Sequence, residues 1–191
     1  MTPTLSILIC TVPSRGHQLS GLIYQLNKQV EAVGDTEIIY LGDNKRWSVG
    51  RKRNHLITLA SGEYIVFVDD DDRVAPNYVQ KILTAAHEEK DVVCFDVEIS
   101  ENGEPYKKVI YDTAFEMDAN FSDHFERWPN HLMPIRRELI HADIFPDVST
   151  GEDFAYAKTI RKRIKTQARI PETLYFYDYN ILMSETPRRS R

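Results

Sequence analysis

The apolar run Glu63-Tyr-Ile-Val-Phe-Val68 stops against four consecutive aspartates, Asp69 to Asp72. Its β-branched and aromatic residues read as a buried strand. A buried strand ending in carboxylates must deliver them to a place where water, a cation or a basic group meets them. In open α/β sheets, ligands sit at the carboxyl ends of the strands. Two readings follow. One is a hard divalent cation, held by oxygen and carrying a phosphate-bearing ligand. The other is a solvated acidic turn ahead of a helix.

The flanking sequence supplies a sheet for that strand. Residues 5–11 form a short apolar run, a first buried strand. Pro13 and Ser14 end it and open a helix with Leu19, Leu22, Ile23, Leu26, Val30 and Val33 on one face and Gly34 as its stop. A second strand over 36–41 runs into the turn Gly42-Asp43-Asn44. Ser48 caps a helix over 50–61 that Gly62 closes. Pro76 suits the first turn of a helix carrying Val79, Ile82, Leu83 and Ala86. Residues 91–97 are a fourth strand, and Asn102-Gly103 is a hairpin turn leading to a strand over 106–111. Strands alternating with helices predict an α/β fold, a Rossmann-like and mostly parallel central sheet flanked by helices. After residue 112 the pattern weakens. Residues 113–130 take no clear assignment, while a helix over 151–165 and a strand over 173–179 stand out. With no repeat and no linker, 1–191 reads as a single domain. Residues up to about 112 form a nucleotide-binding half, about 113–180 a more irregular half that completes a cleft, and 181–191 a basic tail.

Composition narrows the function. At 42% hydrophobic and 28% charged the chain is ordinary for a globular protein, and its net charge of −5 is untypical of a general nucleic-acid binder. No apolar stretch is long enough to span a membrane and no leader pattern opens the chain, so the expected location is cytoplasmic. Cys10 and Cys94 lie in expected strands and fit free, buried thiols.

Several phosphate chemistries are absent. No loop ends in Gly-Lys-Ser or Gly-Lys-Thr, so a P-loop is excluded, and no GxGxxG follows the first strand. The aspartate run is not an EF-hand, since Val74 and Gln80 stand where that loop needs Gly and Glu. What remains is a set of separated elements. Gly50-Arg-Lys-Arg-Asn54 opens a helix, either as an anion-facing terminus or as a solvated basic turn. Asp43 ends the second strand, positioned for a base or ribose, or simply for a turn with Asn44. Gly151-Glu152-Asp153 starts a helix, as a source of a general base or as a charged first turn.

Together these segments resemble the family 2 glycosyltransferases, which have the GT-A fold. The resemblance rests on Ser6–Thr11, on Glu37–Asp43 and on Gly50–His55 with its Gly-x-x-Arg-Asn start. It also rests on Ser61–Asp72 as the strand bearing a DXD motif, and on Gly151-Glu152-Asp153 as the late ED motif. It covers residues 5–83 closely and 131–178 more loosely. It implies an inverting, metal-dependent transfer of a sugar from a nucleoside diphosphate sugar, a UDP-sugar by preference, to an acceptor hydroxyl. Asp71 would bind Mn²⁺ or Mg²⁺, with Asp69 on the metal or the ribose and Asp72 as a helper. Asp43 would read the base, with Arg53 near the base or diphosphate and Thr11 beside the nucleotide. Asp153 would be the catalytic base and Glu152 would help hold the acceptor. Two departures stand out. Gly42 replaces the first of the two acidic residues usual after the second strand, and no histidine follows His141. Asp178 is a candidate for the missing late metal ligand. In the family the region of Trp128 and His131 borders the acceptor, although ordinary packing also explains both. Arg136, Arg137, Arg161, Arg163 and Lys165 are either a surface for an anionic acceptor or a solvated face. The acceptor is a surface glycan, its lipid-linked precursor, or modified bases of phage DNA. The readings outside this class are a non-catalytic nucleotide-sugar-binding module and a nucleotidyltransferase.

Overall fold

The computed structural model describes residues 2–179. The basic tail expected over 181–191 lies outside the described residues. In chain order the elements are β1 (Leu5–Thr11), α1 (Gly16–Val33), β2 (Thr36–Gly42), α2 (Val49–Leu59), β3 (Tyr64–Phe67), β4 (Arg73–Val74) and α3 (Tyr78–Ala86). There follow β5 (Val92–Glu101), β6 (Glu104–Tyr111), β7 (Ala119–Asn120), β8 (His124–Arg127), β9 (Ile135–Arg136), α4 (Glu152–Ile160) and β10 (Gln167–Tyr179).

One mixed sheet runs through them in the order β2-β1-β3-β9-β5-β6-β8-β7, with β10 joining β5 and β4. β1 pairs in parallel with both β2 and β3, and β10 runs parallel to β5 along its length. The two-residue β9 is inserted antiparallel between β3 and β5. Both β9 and β6 share one edge of β5, and β10 takes the other. The central strands β1 and β3 are mostly apolar because helices cover the sheet. Leu5, Ile7, Leu8 and Ile9 of β1 and Tyr64, Val66 and Phe67 of β3 are essentially inaccessible. Gln29 of α1 ties α1 to α3, donating to Ala75 O and accepting from Val79 N. Among the described residues no helix is long and apolar enough to cross a membrane. Both cysteines are free, and burial pushes each thiol up to about 12.

Local signals mostly act as expected. Ser48 caps α2, its hydroxyl accepting from Arg51 N. Asn102 and Gly103 take φ of 54° and 88°, the left-handed pair of a tight hairpin. Four expectations need correction. Gly62 does not close α2, which ends at Leu59. Instead it lies flat against β1, where a Cβ would stand 2.6 Å from Ser6 Oγ. Pro76 precedes α3, which begins at Tyr78. α4 stops at Ile160, five residues short of the expected end. β10 begins at Gln167, and its register shifts between Ile170 and Thr173, around Pro171, which has no N–H to give the ladder. The unassigned stretch 113–130 holds β7 and β8, and β8 extends the sheet by pairing in parallel with β6.

Candidate active site

Parallel register brings the ends of β1, β2 and β3 to one rim. Thr11 pairs with Gly42, and Val68 N donates to Leu8 O, so Thr11, Asp43 and Asp69 emerge together. The three signature positions of α2 then divide the work. Gly50 meets the backbone of the 146–148 loop so closely that a Cβ would stand 1.9 Å from Pro146 O, and Gly50 N donates to Val148 O. Asn54 clamps the same loop from one turn later, donating to Phe145 O and accepting from Phe145 N. That loop leads into Gly151, whose φ of 80° turns the chain into α4. Gly50 and Asn54 therefore position the Glu152-Asp153 pair. Arg53, on the face between them, reaches the site itself.

Arg53 is the centre of a buried network. Its Nη1 donates to Glu152 Oε1 at 2.8 Å, and its Nη2 contacts Asp69 Oδ1 at 3.2 Å and His131 Nε2 at 3.1 Å. Its guanidinium also lies over the rings of Phe67 and Phe145. Burial opposes the charge of Arg53, but Asp69 and other neighbouring groups raise its pKa. Burial likewise opposes ionisation of Asp69. The adjacent His131 and Arg53 outweigh it and hold the carboxyl well below the usual range. Glu152 is thus committed to Arg53 rather than free for chemistry. Asp153, one residue on, lines the cleft and accepts only from its neighbour Phe154 N among the hydrogen bonds of the described residues.

The four aspartates have four different surroundings. Asp69 faces Arg53. Asp70 is buried against Arg15 Nη1 at 2.8 Å, with its second oxygen buried and lacking a hydrogen-bond partner. Asp71 is the most open, its side chain 36% exposed, with Arg15 Nη1 at 3.1 Å. Burial, with added repulsion from Asp69 and Asp70, raises its pKa in spite of Arg15. Asp72 does not join the others. Its oxygens accept from Tyr175 OH at 2.6 Å and Asp178 N at 3.1 Å, which bonds the turn to β10. Burial raises its pKa well above normal. The helper role expected for Asp72 is therefore replaced by a structural one.

At the neighbouring corner Asp43 accepts from Trp47 N at 2.6 Å and pairs with Lys52 Nζ at 3.1 Å. Burial opposes its ionisation, but the Trp47 bond and Lys52 lower its pKa. Lys52 is itself buried and donates to Thr11 O. A Cβ at Gly42 would stand 2.9 Å from the Thr11 methyl, which gives this chain a steric reason for lacking an acidic residue there.

Two adjoining clefts meet at this rim. The smaller, ≈ 170 Å³, is lined by Thr11, Arg15, Lys52, Asp70 and Asp71. The larger, ≈ 340 Å³, is lined by His131, Asp153 and one face of β5, β6 and β8. Arg53, Asp69, Ser149, Glu152 and Tyr177 line both, so Asp71 and Asp153 belong to one continuous depression. In the smaller cleft three cations, Arg15, Lys52 and Arg53, oppose four carboxylates, Asp69, Asp70, Asp71 and Glu152. A diphosphate would need added positive charge to enter. Two open carboxylates, Asp69 and Asp71, offer hard oxygen ligands for that charge. No group of three His, Cys, Asp or Glu side chains suited to a metal exists among the described residues. The donor set thus fits an ion of the Mg²⁺ type, held by one or two carboxylates and completed by phosphate and water.

Asp178 is not part of this set. Its carboxylate accepts from Arg73 and Ser100 at a separate surface, so it does not stand in for the missing histidine. The basic side chains expected to form an acceptor surface are mostly spent on the fold. Arg137 donates to Gly62 O, Arg163 to Leu139 O and Arg161 to Glu116 O, while Arg136 lies over Tyr64. Sequence reasoning missed Arg15 and Tyr177. Arg15 falls in a turn without a motif, and Tyr177 could be placed only by knowing which face of β10 looks into the cleft.

Comparisons with known proteins agree with this geometry. A family model described as Glycosyl transferase family 2 matches residues 23–177. Over 81 residues the chain is 31% identical to EpsH of Bacillus subtilis (strain 168), which carries the name of a glycosyltransferase; that is 42% of this chain and 21% of that protein. Over 66 residues it is 38% identical to WcaA of Escherichia coli (strain K12), named for colanic acid biosynthesis glycosyl transfer, covering 35% of this chain and 23% of that protein. The match therefore spans less than a quarter of either relative's length. Residues 1–349 of S. aureus TarS in complex with UDP-GlcNAc match with a TM-score of 0.64 at 15% identity, covering 92% of this chain and 58% of that one. The same TarS segment with UDP gives 0.64 and 15%, covering 93% and 61%. At such identity the likeness is one of fold, a mixed α/β architecture with a central, mostly parallel sheet.

Proposed function

The chain belongs to glycosyl transferase family 2, and from that premise we infer that it transfers a sugar from a nucleoside diphosphate sugar to an acceptor hydroxyl with inversion. The observation that carries this reading is the division of labour between two adjacent carboxylates. Glu152 is locked to Arg53, while Asp153 stands in a cleft that adjoins the aspartate-lined one. One buried arginine thus ties the segment that carries Asp153 to the aspartate-lined corner.

The smaller cleft is assigned to the donor. Asp69 and Asp71 would hold Mn²⁺ or Mg²⁺, and Arg15, Lys52 and Arg53 add fixed positive charge around it. When bound, the ion supplies positive charge against the negative charge of the departing diphosphate. Asp43 and Thr11 are assigned to the nucleoside, and the UDP bound by TarS favours uridine. In the larger cleft Asp153 takes the proton of the acceptor hydroxyl onto its carboxylate as that oxygen attacks the anomeric carbon. One displacement with one base inverts that carbon. The name of WcaA, which refers to colanic acid biosynthesis, favours a polysaccharide or its precursor as acceptor. Arginines bonded to backbone carbonyls leave little support for DNA.

A thermal-shift screen of nucleoside diphosphates and their sugars, with and without Mn²⁺, tests the donor assignment. Binding at a hundred times Kd stabilises by about 2.7 kcal/mol. A metal-dependent rise with one nucleotide, lost in Asp71→Ala, is the expected result. No rise with any nucleotide would remove the reading.

A further inference from the structure

Strand register decides what stands on the wall of the larger cleft. Tyr175, Val97, Val109 and Phe125 are successive cross-strand partners on β10, β5, β6 and β8. Tyr177, Ile99 and Lys107 form the next row on the same face. Of these, Val97, Ile99, Val109, Phe125 and Tyr177 line the cleft. On this wall Val97 and Val109 are nearly buried, and the apolar surface open to the cleft comes from Ile99, Phe125 and Tyr177.

The charges around it are unbalanced. Two guanidiniums, Arg53 and Arg127, line the cleft with three carboxylates, Asp69, Glu152 and Asp153. Both guanidiniums are committed. Arg53 bonds Glu152 and Asp69, and Arg127 donates to Ala119 O, Glu126 O and Asn120 Oδ1 and lies over Phe125. Lys107, at the end of the second row, lies over Tyr106 and Phe125 and donates to Phe121 O. An anion entering here would lose water next to a surplus of negative charge, beside cations already engaged. A ring with one apolar face and several hydroxyls meets no such cost.

We propose that this cleft selects an uncharged sugar ring of the acceptor and rejects uronate- and phosphate-bearing rings. The apolar face of the ring lies on Ile99, Phe125 and Tyr177, and a hydroxyl reaches Asp153. The inference rests on the transferase reading and adds to it the charge class of the acceptor. A volume of ≈ 340 Å³ is near the lower limit of ligand pockets, which suits one ring rather than a long segment.

Saturation-transfer NMR on the whole chain, with UDP and the diamagnetic ion Mg²⁺ present, tests this directly. The probes are neutral methyl glycosides (glucoside, mannoside, N-acetylglucosaminide) and methyl glucosiduronate. Ring-proton transfer from at least one neutral glycoside is expected, with the uronate weaker by about tenfold or more at low salt. Phe125→Ala should remove most of the neutral signal and Phe125→Leu should keep it. The nucleotide thermal shift of both variants should match that of the unaltered chain. Equal or stronger transfer from the uronate, a neutral signal unchanged in Phe125→Ala, or no transfer from any ring would each overturn the proposal. Loss of the nucleotide shift in the unaltered chain would instead strike the transferase reading.

Discussion

Replacing Arg53 by methionine tests the network on which the site depends. The substitution keeps an unbranched apolar stem against Phe67 and Phe145 but removes the guanidinium. Glu152, only 6% exposed, then loses its 2.8 Å partner, and Asp69 loses a contact at 3.2 Å. Breaking a buried pair from one side costs about 3–5 kcal/mol. The Asp69 side chain is 34% exposed, so water recovers part of its share and the lower end applies, about 3 kcal/mol. For a chain of this length that corresponds to a fall in Tm of roughly 6–12 °C. Urea unfolding at pH 7 measures it. A second substitution, Glu152→Gln, should rescue part of the loss, with a coupling of about 1 kcal/mol or more. The pH dependence has a definite sign. Because Asp69 has a lowered pKa in the fold, its pairing stabilises above the unfolded value near 4 and is lost as pH falls further. The deficit of Arg53→Met should therefore shrink in acid. A loss below about 1 kcal/mol at pH 7, or strictly additive substitutions, would refute the network.

Two further predictions concern the scaffold. Gly50→Ala forces a methyl to within 1.9 Å of Pro146 O, so the 146–148 loop must move. Stability should fall by about 1–3 kcal/mol, with transfer falling further because the loop leads into the helix that bears Asp153, as urea unfolding and turnover would show. Glu37 Oε1 accepts from Ser6 Oγ, Ser61 N, Ser61 Oγ and Gly62 N. Burial opposes its ionisation, but these bonds lower its pKa. Glu37→Gln should cost about 1–2 kcal/mol at pH 7 and progressively less as pH falls below about 4, measured by urea unfolding across that range.

The first half of the fold was legible because its signals are local. Apolar strands at 5–11, 36–42 and 64–67 are runs of β-branched residues between turn residues, and Ser48 and Gly34 mark helix ends by their own chemistry. Residues 43, 53, 69, 71, 152 and 153 stood out as motifs, and the structure places them near one end of the sheet. Their partners were not. Arg15 meets Asp70 across 55 positions, and Asn54 meets Phe145 across 91, so nothing in either segment announces the other. Asp72 and Asp178 were misread because a carboxylate in a motif looks the same whether it faces a ligand or a buried tyrosine. The acceptor-side wall was invisible for another reason. β7 and β9 are two residues long and β8 four, too short for any period to show.

The central claim is that Asp153 deprotonates the acceptor while a separate acidic corner holds the donor. Turnover and donor affinity of Asp153→Asn, measured together with the donor that gives the largest thermal shift, test it most directly. Acceptor-stimulated release of nucleoside diphosphate should fall by about 10²–10⁴ while donor Kd stays within about twofold. Turnover near that of the unaltered chain would contradict the account.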